Sequence, residues 1–478
     1  LEEQMVIYYF FELTYIYIFI YIYFLFYPLN SYKMDNQAQP ATREALPASM
    51  RYALGSTDAV SSSTVERMFE SNNGNVFGPS SSNEIRIPIQ ADGFLDTAKH
   101  YFQFTILNKG TTQASALDGD ISCIIDSVRI EMNGIEIERL DGYAPLHNLK
   151  SLWNASYTDR EMRNGKSGGP IPAIANLTNG HELAAATGSA TFAVQLDSGF
   201  LMGHHKKALP MGLNAFTVVI RLNTAAVALI GAHNSAAPDY QISNARFYCP
   251  VYQLTDPNVL AQYRQAAGTQ GITWSGDTNK LYMGALTAGA STQVIQLNDR
   301  SLSLKGFVTV LRPSATYNNA QRATNSAFNL TGVSQFHYSI GGMNYPQVPI
   351  DLTIADAGLD ISRAYDQCLK TFASAGYAHS EPLINKAKFV LADAAVTGSG
   401  LTIAGQGAVT GQGAVCLDTR RFDSDRLAMV GLNTAKSASP NTLQIIGTGD
   451  MVATTTNTYA IVEAEYIMAP NGSVRVSV

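Results

Sequence analysis

The second half of this chain repeats the order of segments found in its first half. In the first half the repeated segments are 84–89, 101–107, 128–132, 143–153, 193–197, 212–214 and 245–248. In the second half they are 293–297, 306–311, 336–340, 355–372, 414–418, 431–433 and 464–467. Gly306 stands 205 residues after Tyr101, and Ala414 stands 221 residues after Ala193. These offsets are much longer than solenoid periods, so the pattern indicates two homologous domains.

Most of the repeated segments have the period-two alternation of half-buried strands. Ile85, Ile87 and Ile89, for example, share one face of the first segment. The pair Asn133-Gly134 lies between two alternating runs, which predicts a tight hairpin. In each half the segment after this hairpin, 143–153 or 355–372, instead has apolar side chains at helical spacing. Each half is therefore predicted to be nearly all β, with one inserted helix.

Strand-rich domains of this length protect their sheet edges by closing into a barrel or by stacking two sheets. One apolar side per strand favours the sandwich. The connections 154–190 and 373–415 are too long for a simple meander and are typical of a jelly roll. The predicted fold class is therefore all-β: two tandem jelly-roll β-sandwich domains, each with an inserted helix.

The predicted domain organisation has four parts. Residues 83–267 form the first jelly roll, which ends in a helix over 256–267, and residues 268–478 form the second. The polar segment 34–82 is predicted to be an N-terminal arm with a short helix near residues 62–69. Residues 1–33 are set apart by their composition.

Residues 1–33 contain 13 of the 44 tyrosine and phenylalanine residues, interleaved with isoleucine. We interpret them as a non-native extension translated from AT-rich DNA upstream of a start at Met34. The alternative is a membrane segment, because the run from Met5 to Leu29 is long enough to span a bilayer. Glu2, Glu3 and Glu12 do not fit the basic start of a signal peptide.

The charge composition excludes some functions. Only 15% of residues are charged, against 46% hydrophobic, and the net charge is −6. This balance argues against a protein that grips nucleic acid by neutralising phosphates. Such low charge suits a chain that buries surface in a large core or against copies of itself.

No motif in the sequence predicts catalysis, a cofactor or a metal site. Cys123, Cys249, Cys368 and Cys416 are far apart and lie in or beside apolar stretches, so we expect free, buried thiols. The glycines of 405–411 lack the Lys-Ser/Thr of a phosphate loop. The segment 204–207 (His-His-Lys-Lys) is expected to be a solvated loop rather than a metal or anion site.

Two further groups of residues have ordinary explanations. We expect a salt-bridge network, rather than an acid/base pair, from the charged residues Arg420, Arg421, Asp423, Asp425 and Arg426. Glycosylation sequons occur at a frequency expected by chance, at Asn154, Asn176, Asn329 and Asn471.

Residues 126–138, with the helix after them, resemble the same stretch in the major capsid proteins of Polinton-like viruses and virophages. Residues 83–89 and 101–106 are similar to the way these proteins begin their first sandwich. The resemblance covers roughly residues 80–470 and extends to the wider double jelly-roll lineage that includes adenovirus hexons.

The resemblance implies a structural role without catalysis. Family members form homotrimers whose six sandwiches give a pseudo-hexagonal capsomer of an icosahedral double-stranded DNA virus. It implies a virion location and, as partners, other copies of the chain, neighbouring trimers, and penton and minor capsid proteins, with no cofactor, small-molecule substrate or specific nucleic acid. The alternatives from the residues alone are a two-sandwich carbohydrate-binding protein and a glycan-processing enzyme.

Overall fold

The protein is described from a computed structural model. The described residues are 62–110, 115–154, 166–168, 182–183, 188–203, 208–211, 215–231, 239–255, 271–314, 332–352, 361–374, 413–420, 430–437, 439–449, 451–468 and 474–478, with single residues or pairs between 256 and 412. They belong to one compact unit, Ser61–Val478. The predictions for residues 1–33 and for the arm before Ser62 lie outside these residues.

Eight strands form the first sandwich. They are β1 (Ser62–Glu70), β2 (Glu84–Ile89), β3 (Tyr101–Asn108), β4 (Ile125–Met132), β5 (Ile135–Asp141), β6 (Ser189–Val194), β7 (Phe216–Leu222) and β8 (Tyr240–Leu254). One antiparallel sheet has the order β6-β3-β8-β1, and the facing sheet has the order β2-β7-β4-β5.

The second sandwich is built from the next eight strands. They are β9 (Ile272–Leu286), β10 (Thr292–Leu297), β11 (Leu304–Pro313), β12 (Val333–Ile340), β13 (Met343–Asp351), β14 (Val415–Asp418), β15 (Asn441–Gly447) and β16 (Thr454–Met468). Its sheets have the orders β9-β16-β11-β14 and β10-β15-β12-β13. A further strand, β17 (Val474–Ser477), pairs with the end of β16.

Both sandwiches therefore have the same topology. Numbered one to eight within each sandwich, the strands run 1-8-3-6 in one sheet and 2-7-4-5 in the other, which is the order of a jelly roll. The predicted fold class is confirmed. Every repeated segment that falls on described residues lies in equivalent elements, while residues 212–214 lie outside them.

The inserted helices are α1 (Tyr143–Asn154) and α2 (Ser362–Ser374), each after the strand that closes the central hairpin. Asn133 and Gly134 at the first hairpin turn both have positive φ, as the Asn-Gly pair predicts. Helix α2 falls in the stretch predicted to be helical, 355–372, of which residues 355–360 lie outside the described residues. Most of the helix predicted over 256–267 lies outside the described residues.

Shorter elements complete the described architecture. Short strands are Val76–Phe77, Phe94–Leu95, Ser115–Leu117, Glu182–Leu183, Leu209–Pro210, Leu229–Gly231, Ala394–Ala395 and Gly407–Ala408. Helical turns are Thr97–Lys99, Ile121–Ile124, Gly199–Met202 and Ala225–Ala228.

The short helix predicted near residues 62–69 is wrong. Residues Ser62–Glu70 form β1 and pair along their whole length with β8, from Ser62 opposite Leu254 to Glu70 opposite Arg246. Pairing with a long neighbouring strand outweighs the weak helical pattern of nine residues. This part of the predicted arm is therefore the first strand of the first sandwich.

Facing sheets pack through aromatic side chains in the second core. Phe307 on β11 stacks on Tyr338 of β12, with ring centroids 5.3 Å apart. The buried hydroxyl of Tyr338 donates to the carbonyl oxygen of Val415 and lies 3.0 Å from the Thr309 hydroxyl oxygen. The polar atom of a buried tyrosine is thus satisfied, which lets its ring contribute apolar area at low cost.

Candidate assembly interface

The two sandwiches are joined by elements that cross from each into the core of the other. Helix α1 follows β5 of the first sandwich, yet its apolar side belongs to the second core. The side chains that it inserts are Leu146, Leu149, Leu152 and Trp153. Trp153 is fully buried and stacks on Phe372 of helix α2, with centroids 5.3 Å apart and an interplanar angle of 13°. The apolar side chains whose spacing predicted α1 thus pack in the core of the second sandwich and not in that of the first.

The reverse crossing is made by the ends of β9 and β16. Tyr466 and Met468 belong to the first core although their strand belongs to the second sandwich. The Phe200 ring meets the Tyr466 ring edge-on at 5.5 Å and the Trp274 ring at 5.1 Å. Such edge-to-face pairs add to the free energy gained from apolar burial. The two sandwiches therefore share parts of both cores.

Glycines allow the closest backbone approach in this junction. A Cβ atom on Gly276 of β9 would lie 2.0 Å from the carbonyl oxygen of Gly199. Gly142, between β5 and α1, has a φ of +59°, and its carbonyl oxygen accepts a 2.7 Å hydrogen bond from the Tyr459 hydroxyl. Larger side chains at Gly199 or Gly276 would push the sandwiches apart.

A buried carboxylate on β5 organises the segment that faces β9. Glu138 accepts hydrogen bonds from the backbone N–H of Gly199 (2.8 Å), the N–H of Phe200 (3.2 Å) and the Ser198 hydroxyl. The Glu138 carboxylate lies at the N-terminal end of the helical turn Gly199–Met202 and accepts from backbone N–H groups that have no partner within the turn. Burial, together with the nearby Glu138 charge, raises the pKa of Tyr466 well above its usual value.

The polar side of α1 carries a cluster of ion pairs. His147 lies between Asp120 and Asp197, with N···O distances of 3.6 and 3.7 Å, and Lys150 lies 3.4 Å from Asp197. Burial lowers the pKa of His147, but the neighbouring carboxylates of Asp197 and Asp120 outweigh this effect, so the pKa lies above 6.5. Burial raises the pKa of Asp197, but Lys150 and His147 outweigh it and the net direction is downward. The cluster fixes α1 to the first sandwich while its other side enters the second core.

The equivalent edge strands of the two sandwiches differ in what covers them. Strands β9 and β17 of the second sandwich pack against β5 of the first, where Ile137 is 6% exposed and Ile135, next to the hairpin turn, is 54% exposed. On the equivalent strand β13, Val348 is 63% exposed. On β1, the equivalent of β9, Val65 and Met68 are 41% and 46% exposed, and on β9 Met283 is 61% exposed. Both β13 and β1 thus carry exposed apolar side chains.

The structure places only some of the residues singled out from the sequence. All four cysteines are free and buried, as predicted. The backbone N–H of Arg420 donates to Asp418, but residues 421–429 lie outside the described part, as do 204–207 and most of 405–411. Of the sequons, Asn154 ends helix α1, and Asn176, Asn329 and Asn471 fall on positions that are not described.

The described residues contain no group of three or more His, Cys, Asp or Glu side chains placed to hold a metal ion. They also contain no helix long and apolar enough to cross a membrane.

Sequence reasoning missed the crossing elements. The 15-residue lengths of β9 and β16 do not signal the crossing by themselves, because β8 of the first sandwich is equally long. The spacing of apolar residues predicts the apolar side of α1, but it does not indicate which sandwich core this side packs against.

Solved structures similar to this chain include viral capsid proteins. The chain is similar to PBCV-1 VP54, as fitted into a reconstruction of the virophage Sputnik, with a TM-score of 0.57 and 11% identity over 89% of this chain and 99% of the other. It is similar to the Faustovirus major capsid protein, with a TM-score of 0.53 and 8% identity over 87% and 92% of the two chains. For the mavirus major capsid protein the TM-score is 0.50 and the identity 12%, over 91% and 94%.

No protein-family model matches the sequence, and no curated protein does. At these identities the structural likeness defines the fold. The chain has the same two-jelly-roll fold as PBCV-1 VP54 and the major capsid proteins of Faustovirus and mavirus.

Proposed function

We propose that this protein is the major capsid protein of an icosahedral double-stranded DNA virus and that its role is structural rather than catalytic. The observation that carries the proposal is the pair of jelly rolls with identical strand order joined through shared cores. The shared cores hold the two sandwiches in one fixed arrangement. A subunit of a regular shell needs such a fixed arrangement, because two loosely linked domains would change their relative orientation. The capsid proteins with which the chain shares its fold support the same role.

In this proposal three chains form a homotrimer whose six sandwiches give a pseudo-hexagonal capsomer. Its partners are other copies of itself, neighbouring trimers, and penton and minor capsid proteins, and it is located in the virion. The low content of charged side chains supports large interfaces between copies. The net charge of −6 supports a role without specific binding of nucleic acid.

We also propose domain boundaries that follow the strands. The first jelly roll begins at β1 rather than at residue 83, since β1 is hydrogen-bonded to β8. The second begins near residue 268, before β9, and extends to residue 478. The predicted arm then comprises residues 34–61.

The positions of the two tryptophans argue against the carbohydrate-binding alternative. Trp153 is fully buried in the second core, and Trp274 stacks on Tyr466 in the junction, with centroids 5.8 Å apart. Neither ring is a free platform for a sugar.

The test is the mass of the purified protein in solution by light scattering after size-exclusion chromatography. The proposal expects a stable species near three times 51.5 kDa, or correspondingly less if translation starts at Met34. A monomer at every concentration, which binds an immobilised glycan, would instead support the carbohydrate-binding alternative.

A further inference from the structure

We propose that Cys368 and Cys416 form a redox-sensitive pair, which hydrogen peroxide converts into a disulfide that fastens helix α2 to strand β14. Both cysteines lie in the second sandwich, and both are free and fully buried. The chemistry of the pair is independent of the proposed capsid function, although that function gives the disulfide a use.

The Cys416 side chain points out of the sandwich, toward the side of its sheet that faces away from the opposite sheet. On the neighbouring strand β11, Phe307 faces the space between the two sheets, since its ring stacks on Tyr338 of the opposite sheet. The next residue, Val308, therefore faces the other side, because successive side chains of a strand alternate. Cys416 is the partner of Val308 across the two strands and shares that side with it.

Helix α2 packs on β11 and β14 and covers this side of the sheet at close range. A Cβ atom on Gly306, which shares a face of the sheet with Cys416, would lie 3.0 Å from Cγ2 of Thr371 on the helix. Cys368 stands one helical turn before Thr371, so both face the sheet. The Cys368 thiol donates a 3.2 Å hydrogen bond to the carbonyl oxygen of Ala414, two residues before Cys416.

The two thiols also act on each other. Burial raises the pKa of Cys416 well above 9.0, and a side-chain hydrogen bond with Cys368 raises it further. For Cys123 and Cys249, burial is followed by nearby carboxylates, and not by another thiol, among the causes that raise the pKa. A disulfide requires two sulfur atoms that can approach to about 2.05 Å. Of the four cysteines, Cys368 and Cys416 are therefore the two placed to form one.

Two thiols and one molecule of hydrogen peroxide give one disulfide and two molecules of water. The thiolate of one cysteine attacks a peroxide oxygen, the O–O bond breaks, and a sulfenic acid forms while the released hydroxide takes up the thiol proton. The second cysteine then attacks the sulfenic sulfur, and its proton leaves with the hydroxyl group as water. Because burial disfavours the reactive thiolate, we expect the reaction to take hours rather than seconds.

The disulfide would fasten a helix that takes part in joining the two sandwiches. Phe372 of α2 stacks on Trp153, which α1 brings from the first sandwich. Cys416 stands 48 residues after Cys368, so the bond would close a loop that includes the long connection 375–412. Closing such a loop lowers the conformational entropy of the unfolded chain and thereby stabilises the folded one. In the proposed function, a subunit made in the reducing interior of a cell would gain this stability in an oxidising medium.

The test is to treat the purified full-length protein with hydrogen peroxide under native conditions, remove the peroxide with catalase, and alkylate all thiols in denaturant. We expect intact-mass spectrometry to count four alkylated cysteines before the treatment and two after it. Peptide mapping without reductant should find Cys368 linked to Cys416, and a phosphine reductant should restore all the thiols. Light scattering should give the same oligomer mass before and after, because the bond lies within one chain.

Matched variants remove one cysteine at a time. Cys416→Ser should keep all of its remaining thiols after the treatment, whereas Cys123→Ser should still form the bond. The melting temperature of the wild-type protein should rise by a few degrees on oxidation, and the melting temperature of Cys416→Ser should not.

Three results would overturn the proposal. The first is a full set of thiols after the treatment, and the second is a disulfide that joins two chains or includes Cys123 or Cys249. The third is a sulfinic acid on Cys368 or Cys416 in place of the disulfide. A trimer that keeps all of its thiols contradicts the disulfide and leaves the proposed function standing. A chain that never oligomerises contradicts the proposed function, and its thiol count still decides the disulfide.

Discussion

Trp153, at the end of a helix that leaves the first sandwich, stacks on Phe372 in the core of the second, with ring centroids 5.3 Å apart. Large-to-small substitutions at fully buried aromatic positions cost about 3–5 kcal/mol. We expect Trp153→Ala to lower the free energy of unfolding by that amount. Because the cores are shared, both sandwiches should still unfold in one transition in a guanidinium titration.

The control for this prediction is Met283→Ala, at a side chain 61% exposed on β9. It should change the free energy of unfolding by less than about 0.5 kcal/mol. Two separate transitions in the wild-type protein would contradict the shared-core description.

Gly276→Ala should weaken the junction without touching either sandwich core. The added Cβ would lie 2.0 Å from the backbone carbonyl oxygen of Gly199, which cannot rotate away. We expect a loss of roughly 1–3 kcal/mol, typical of overpacking, measured by thermal unfolding. Gly449→Ala is the matched control, since its Cβ would meet no atom within 4 Å. Equal stabilities of the two variants would argue against a tight junction.

His100 should make the protein sensitive to acid. Its two ring nitrogens are used in the neutral form, with Nδ1 donating to the Thr97 carbonyl oxygen and Nε2 accepting from the Leu196 N–H at 2.9 Å. Burial lowers its pKa from 6.5 to about 4. The unfolded chain therefore takes up a proton first, and stability falls as the pH drops from 6.5 to 4, by up to about 3 kcal/mol. His100→Gln should flatten this part of the curve of melting temperature against pH; an unchanged slope would refute the assignment.

His147 should have the opposite effect on the pH dependence of stability. The pKa of this side chain lies above 6.5, since Asp197 and Asp120 outweigh the effect of its burial. The contribution of His147 to the free energy of unfolding is complete below its pKa in the unfolded chain. This contribution is lost as the pH rises through its pKa in the folded protein. The melting temperature of His147→Gln should therefore lie further below that of the wild type at pH 6 than at pH 8. A gap that widens toward pH 8 would mean that His147 is bound as the neutral form.

The cysteines should be unreactive in the native protein. Burial raises the pKa of Cys249 to about 12 and the pKa values of Cys123 and Cys416 well above 9.0. Since the thiolate is the reactive form, labelling by a thiol reagent should require unfolding. Rapid labelling at neutral pH without denaturant would show that these sites open.

The sequence predicted the fold class because the repeat carried the strand order twice. The alternation of Ile85, Ile87 and Ile89, the Asn133-Gly134 turn and the apolar side of α1 all appear in the structure as predicted. The arrangement of the domains could not be predicted in the same way. Nothing in the spacing of Leu146 to Trp153 tells which core receives them, and β1 reads as a strand only beside β8. Burial differences between equivalent strands exist only once the chain has folded.

Electron microscopy of the purified oligomer tests the central claim most directly. The account predicts a closed particle of three chains, in which six sandwiches form a hexagonal outline. A particle with a different number of sandwiches would contradict it.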